Sequence, residues 1–193
     1  MNTLFTRSAL LHVLIAYERR GIAPSVSYGY LASVYNGDGW FPLLSTIEAL
    51  FYPLGINLYE AFSILEEKGP EGLYGIEPSS EFLPIVHSRW KMLRVMQQMM
   101  NENTGSDTCR SDMAKALERE TAGVGVDFRS KAKTITMLKL EEYAEVAGIR
   151  LSEAFRRYYE MYPGDADYSL YPRAKSEEKS SEEPTDDNPD NNE

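Results

Sequence analysis

The chain has 193 residues, 42% of them hydrophobic, and a formal net charge of -10. That length and apolar content suffice to bury the core of one domain or of two small ones, and they exclude an intrinsically disordered chain. A single cysteine, Cys109, excludes an intramolecular disulfide and points to a reducing, cytoplasmic setting, while His12 and His87, both far from it in sequence, cannot assemble a zinc site of ordinary composition.

In chain order, Ser8 to Arg20 carries Leu10, Leu11, Val13, Leu14, Ile15 and Tyr17 and reads as an amphipathic to fully buried helix closed by Gly21 and followed by Pro24. Its most apolar run, Ala9 to Ala16, is too short to span a bilayer, so no membrane partner is expected. A second helix, Ser27 to Tyr35, ends at Asn36-Gly37, a pair suited to the left-handed backbone that closes helices. Leu44, Ile47, Leu50, Phe51 and Leu54 then mark an amphipathic helix ending near Gly55, with Ser45 or Thr46 as its cap or in its first turn. Ile56, Leu58, Ala61, Phe62 and Leu65 predict one more helix, capped by Asn57.

The pattern Ser27-x-x-Tyr30-Leu31-x-x-Val34-x-Asn36-Gly37, then Pro42, Thr46-Ile47-Glu48-Ala49-Leu50, Leu54-Gly55-Ile56 and Leu58-x-x-Ala61-Phe62 resembles the second half of a lambda-repressor-like, Cro/C1-type (XRE) helix-turn-helix domain. The resemblance covers about a fifth of the chain and implies that the helix before Asn36-Gly37 enters the major groove of DNA. No Gln-x-x-Leu-Ala pattern precedes Ser27, so either Ala9 to Arg20 takes that helix's place or the helix is absent. Val26 to Tyr35 also contains no Lys or Arg, and its phosphate neutralisation has to come from elsewhere.

Residues 69–80 hold Gly69, Pro70, Gly72, Gly75 and Pro78 and read as a linker after a first unit at 1–68. Ser79 or Ser80 is then expected to cap a methionine-rich helix from about Glu81 to Asn101, with Asn101 to Asp107 as a polar connector; together these fill 81–106. The stripe Phe82, Ile85, Val86, Trp90, Leu93, Met96 and Met100, widened by Met92 and Met99, suits a core helix bridging two halves. It also suits a dimer interface or partner groove centred on Trp90, Met96 and Met100.

A second unit at 107–174 echoes the first. Gly148-Ile149-Arg150-Leu151-Ser152-Glu153-Ala154-Phe155 matches Gly55-Ile56-Asn57-Leu58-Tyr59-Glu60-Ala61-Phe62 at six positions, and Leu140 to Tyr143 parallels Ile47 to Leu50. Ala116 to Arg119 resembles Ala16 to Arg19 in a register displaced by seven residues, which makes the second copy shorter in the middle. Unlike the first, it carries Arg129, Lys131 and Lys133 beside Ser130, Thr134 and Thr136, a composition suited to phosphate contacts. Against that field, 107–163 holds ten basic and ten acidic residues. From Lys175 to Glu193, eight acids, two lysines and no apolar side chain make a disordered acidic tail, which leaves -4 on the rest.

No catalytic or cofactor constellation emerges. Cys109 has no neighbouring histidine, and Gly37-Asp38-Gly39 and Gly123-Val124-Gly125 lack the lysine and third glycine of a phosphate loop. Glu141, Glu142 and Glu145 read as a solvated helix face.

The expectation is an all-α protein of two small helix-turn-helix-like units in tandem with a disordered acidic C-terminal tail. As a non-enzymatic regulator it is expected to bind duplex DNA through Ser25, Ser27, Tyr28, Tyr30, Ser33 and Asn36 of the first unit and Arg129, Lys131 and Lys133 of the second. The alternative is a helical protein-interaction module, an adaptor, antitoxin-like neutraliser or inhibitor of a mobile element, meeting a homodimer mate or protein partner through Trp40, Phe41, Trp90, Met96 and Met100.

Overall fold

Thr6 starts the first helix: its Oγ1 accepts the Ala9 N–H at 3.2 Å, and α1 (Arg7–Arg20) runs to Gly21, which closes it in the left-handed conformation at φ 62°. The computed structural model describes residues 5–22, 42–79, 88–105, 107, 110–118, 123–125, 128 and 135–165. Among these the protein is helical without a strand, as its apolar periodicity predicts, and its only bridge pairs Leu43 with Thr136. No helix among them is long and apolar enough to cross a membrane.

The chain resumes with α2 (Leu44–Phe51), a 3-10 turn (Tyr52–Leu54) and α3 (Leu58–Lys68). Gly55 between them adopts φ 70°, and Asn57 and Glu60 form a reciprocal capping box at the start of α3. Ser45 and Thr46 lie in the first turn of α2, one of the two places expected for them, and neither is its cap residue. Leu43 is the cap residue and its hydrocarbon side chain can make no cap bond, while the N–H of Leu44 is satisfied by a carbonyl from the other half of the chain.

The stretch read as a linker contains an ordered 3-10 turn (Pro70–Gly75) that lies on α1 and α3 and buries Leu73 completely. Gly72 makes that approach possible: a Cβ there would lie 2.6 Å from Ile64 Cγ2 and 2.8 Å from Lys68 Cβ. Arg20 fastens α1 to the same region, donating to the carbonyls of Leu54, at 2.8 Å, and of Ile76. These oxygens follow helix ends and lack intrahelical partners, so a guanidinium serves them well.

In the second half, α4 (Arg89–Thr104) begins after Ser88, not Ser79 or Ser80, and continues three residues beyond Asn101 to a left-handed Gly105. Residues 81–87, expected to be helical, lie outside the described residues. The buried face of α4 is Met92, Leu93, Val95, Met96 and Met99, so Val95 joins the stripe and Trp90 leaves it. Intervals of this set repeat those of Ala9, Leu10, His12, Val13 and Ala16 on α1. By burial, then, α4 is the counterpart of α1, whereas the sequence had paired 16–19 with 116–119. α4 packs on α6 and α7, as a core helix does.

Next come α5 (Arg110–Ala116), a helical stretch at 123–125 with Val124 buried, α6 (Met137–Ala147), α7 (Leu151–Met161) and a 3-10 turn (Pro163–Asp165). Thr136 Oγ1 caps α6 by accepting the Lys139 N–H at 3.4 Å, and Gly148 closes it at φ 65°. The core is one continuous cluster reaching from Phe5 to Tyr158.

Because that cluster is shared, Phe155→Ala is expected to cost about 3–5 kcal/mol and to lower the stability of both halves within one cooperative denaturant transition. Gly148→Ala, which meets no neighbour within 4 Å, is expected to cost only about 1 kcal/mol of left-handed backbone strain. Urea titrations followed by circular dichroism and tyrosine fluorescence measure both.

Candidate functional site

The centre of the molecule is built from residues that hold the same place in the two halves. Thr136 follows Leu43 by the same spacing as Gly148 follows Gly55 and Phe155 follows Phe62. At one end of this centre the Leu44 N–H donates to the Ile135 carbonyl and the Met137 N–H donates to the Pro42 carbonyl, each at 2.8 Å. Exchanging the halves turns one bond into the other, the signature of a two-fold relation.

Helices α3 and α7 carry the relation further, meeting with the Phe62 and Phe155 ring centroids 5.1 Å apart. Each also completes the other's N-terminus. Tyr159 Oη accepts the Leu58 N–H at 2.9 Å, while Glu66, which holds the matching place on α3, accepts the Ser152 N–H at 3.1 Å and the Ser152 hydroxyl. Arg150, whose side chain makes no cap bond of its own, donates to Glu66 at 2.8 Å. First-turn donors of both helices are thus satisfied across the centre by a phenol in one case and a carboxylate in the other.

Charge in this region is compensated. Arg156 reaches both Glu153 and Glu160, and Arg157 reaches Glu102 on α4 at 2.8 Å. A hydrogen bond from the Arg156 guanidinium holds the Glu153 carboxyl below its usual range. Glu48 and Glu141 occupy matching places on α2 and α6 and are both buried, so Glu141 departs from the expected solvated face; Glu145 is exposed as expected.

Of the expected DNA contacts, Ser25, Ser27, Tyr28, Tyr30, Ser33, Asn36, Arg129, Lys131 and Lys133 all lie outside the described residues, as do Trp40, Phe41, Cys109 and the tail at 175–193. Chain connectivity alone joins both groups to the Leu43–Thr136 bridge. Lys133 is two residues from Ile135 and Asn36 six from Pro42, reaches of about 7 Å and 20 Å at full extension. Among the expected protein contacts, Trp90 is 40% exposed, but Met96 is wholly buried and Met100 is half-buried against the core. Met96 is therefore corrected from an interface residue to a core residue, since α4 turns that face toward α6 and α7. His12 is buried, with its Nδ1 2.7 Å from the Ser8 carbonyl and its ring edge-on to Tyr74. Sequence reasoning missed Glu66 and Tyr159. Their identities differ, and only the equal spacing of the flanking motifs marks them as a pair.

Burial pushes the Tyr158 and Tyr159 hydroxyls well above the ordinary tyrosine range. A raised folded-state value means that the stabilisation is complete below about pH 10 and is lost as pH climbs above it. Melting temperature should accordingly fall above about pH 10, and Tyr159→Phe should lower it at neutral pH, by removing the Leu58 cap, while flattening the alkaline decline; thermal melts across pH 7 to 11 follow both. Glu66→Ala should cost about 1–2 kcal/mol through the lost cap on α7.

No protein family, no curated protein and no solved structure matches this chain.

Proposed function

We propose that the chain is a duplex-DNA-binding transcriptional regulator of the Cro/C1 type, built from two related helical units joined in tandem by internal duplication. The observation that carries this reading is the pair of reciprocal bonds between Pro42–Leu44 and Ile135–Met137. Together with the matching Gly55 and Gly148, Phe62 and Phe155, it relates the halves as two subunits of a symmetric dimer are related. A two-fold pair of helix-turn-helix units suits two inverted half-sites about one helical turn of DNA apart.

On this reading Ser25, Ser27, Tyr28, Tyr30, Ser33 and Asn36 offer hydrogen bonds to one half-site, and Arg129, Lys131 and Lys133 neutralise phosphates at the other. The unequal charge of the two segments makes the second unit the stronger electrostatic anchor. The protein acts in the cytoplasm and needs no cofactor. A helical protein-interaction module is the second reading, supported by the carboxylate partners of Arg150, Arg156 and Arg157, which are engaged within the protein.

Titration of a randomised duplex pool at low salt, followed by anisotropy and gel shift, separates the two. The regulator is expected to bind, with Arg129→Ala, Lys131→Ala and Lys133→Ala together lowering the slope of log affinity against log salt by about 3. Absence of binding to any duplex at about 50 mM salt rejects DNA recognition in favour of the interaction module.

A further inference from the structure

A trough of about 400 Å3 runs along the outer side of α4 beside the end of α7, lined by Trp90, Arg94, Gln97, Gln98, Met161 and Tyr162. Its size is that of a site for a small ligand or a short peptide segment. The lining includes two aromatic rings and a thioether, and Arg94 is exposed with no ion pair to any described residue. The Lys91 ammonium sits 4.8 Å from the Tyr162 ring and 5.9 Å from the Trp90 ring.

Where the chain leaves the fold matters for what fills this trough. Asp165 is ion-paired to Lys91 and accepts the Tyr158 hydroxyl, so the chain departs from the first turn of α4, next to Trp90. Residues 166–172 follow, reading Ala-Asp-Tyr-Ser-Leu-Tyr-Pro; from Lys175 onward no apolar side chain remains. Such a segment extends to about 24 Å, whereas Trp90 to Gln98 spans about 12 Å of helix, so the segment is long enough to cover the trough.

The first half shows what the chain does after the matching helix. Pro70 holds the place after α3 that Pro163 holds after α7, and from Pro70 the chain returns over α1. That return buries Leu73 and Ile76 and sets Tyr74 edge-on to His12 and 5.0 Å from the Arg19 guanidinium.

We propose that the trough is a docking groove for an aromatic, acid-bearing peptide segment, and that its occupant is the chain's own 166–172. The segment's two tyrosines and its aspartate match in chemistry the aromatic rings and the exposed Arg94 that line the trough. Docking anchors the start of the acidic stretch at 175–193 along α4, and release frees the groove and that stretch together. The site accepts a partner segment of the same chemistry only by displacing the resident one.

Full-length protein carrying Trp40→Phe leaves Trp90 as the sole indole reporter. Adding Tyr168→Ser, Leu170→Ser and Tyr171→Ser is expected to red-shift its emission and to raise its acrylamide quenching constant about twofold, as the ring goes from docked to open. A synthetic peptide of sequence 166–173 should then reverse both changes saturably, and Arg94→Glu should abolish that reversal. Unchanged quenching in the substituted chain overturns the proposal, as does a peptide that binds the Arg94→Glu protein equally well. Protection of Trp90 that appears only when sedimentation shows self-association assigns the groove to a second copy and overturns the intrachain occupant. Circular dichroism of each variant, expected to be unaltered because 166–172 follows the last packed helix, excludes misfolding as the cause.

Discussion

A helix cannot begin in a protein interior unless its first N–H groups find acceptors, and at the centre of this molecule two helices solve that problem for each other. The N–H of Leu44, at the start of α2, and the N–H of Met137, at the start of α6, each bond to a carbonyl just before the other helix. Neither bond exists without the chain geometry that makes its mate. The register of the halves is therefore fixed by a backbone requirement, and the buried side chains fill the space this geometry encloses.

From that constraint the rest follows outward. With α2 and α6 held start to start, the helices after Gly55 and Gly148 cross at Phe62 and Phe155, and the later part of each reaches the first turn of the other. Glu66 and Tyr159 solve one geometric problem with different chemistry. The carboxylate serves two donors of Ser152 and draws in Arg150; the phenol accepts the Leu58 N–H, and burial pushes its hydroxyl well above the ordinary tyrosine range. Helices α1 and α4 share five buried positions at the same intervals, with Tyr17 a sixth on α1, and the chain returns over α1 through the packed turn at Pro70.

Much of this was legible in the sequence, because helix punctuation is local chemistry. Gly21 and Gly55 close helices as their neighbours implied, Gly148 takes the place of Gly55 in the echo, and Asn57 caps α3 with Glu60 answering it. The Gly-Ile-x-Leu-x-Glu-Ala-Phe echo lies at the contact between α3 and α7. What the sequence hid was set by distant partners. Nothing in Leu43 or Thr136 announces a bridge; Pro70 and Gly72 read as breakers, while the burial of Leu73 depends on α1 and α3 being there to receive it. Trp90 and Met96 seemed to share a face because the helix was begun at Glu81. The residues named for DNA recognition, by contrast, stand on the resemblance in the first unit and on the run of cations and hydroxyls in the second.

The two halves are joined covalently between Ser79 and Ser88, which changes the character of their mutual contact. Two separate subunits meeting through this surface would come apart on dilution, whereas a tether holds the local concentration of each half near the other in about the millimolar range. Assembly is then insensitive to how scarce the protein is. Each half is also free to differ in composition, since a substitution appears once instead of twice, as the Tyr159 phenol opposite the Glu66 carboxylate illustrates.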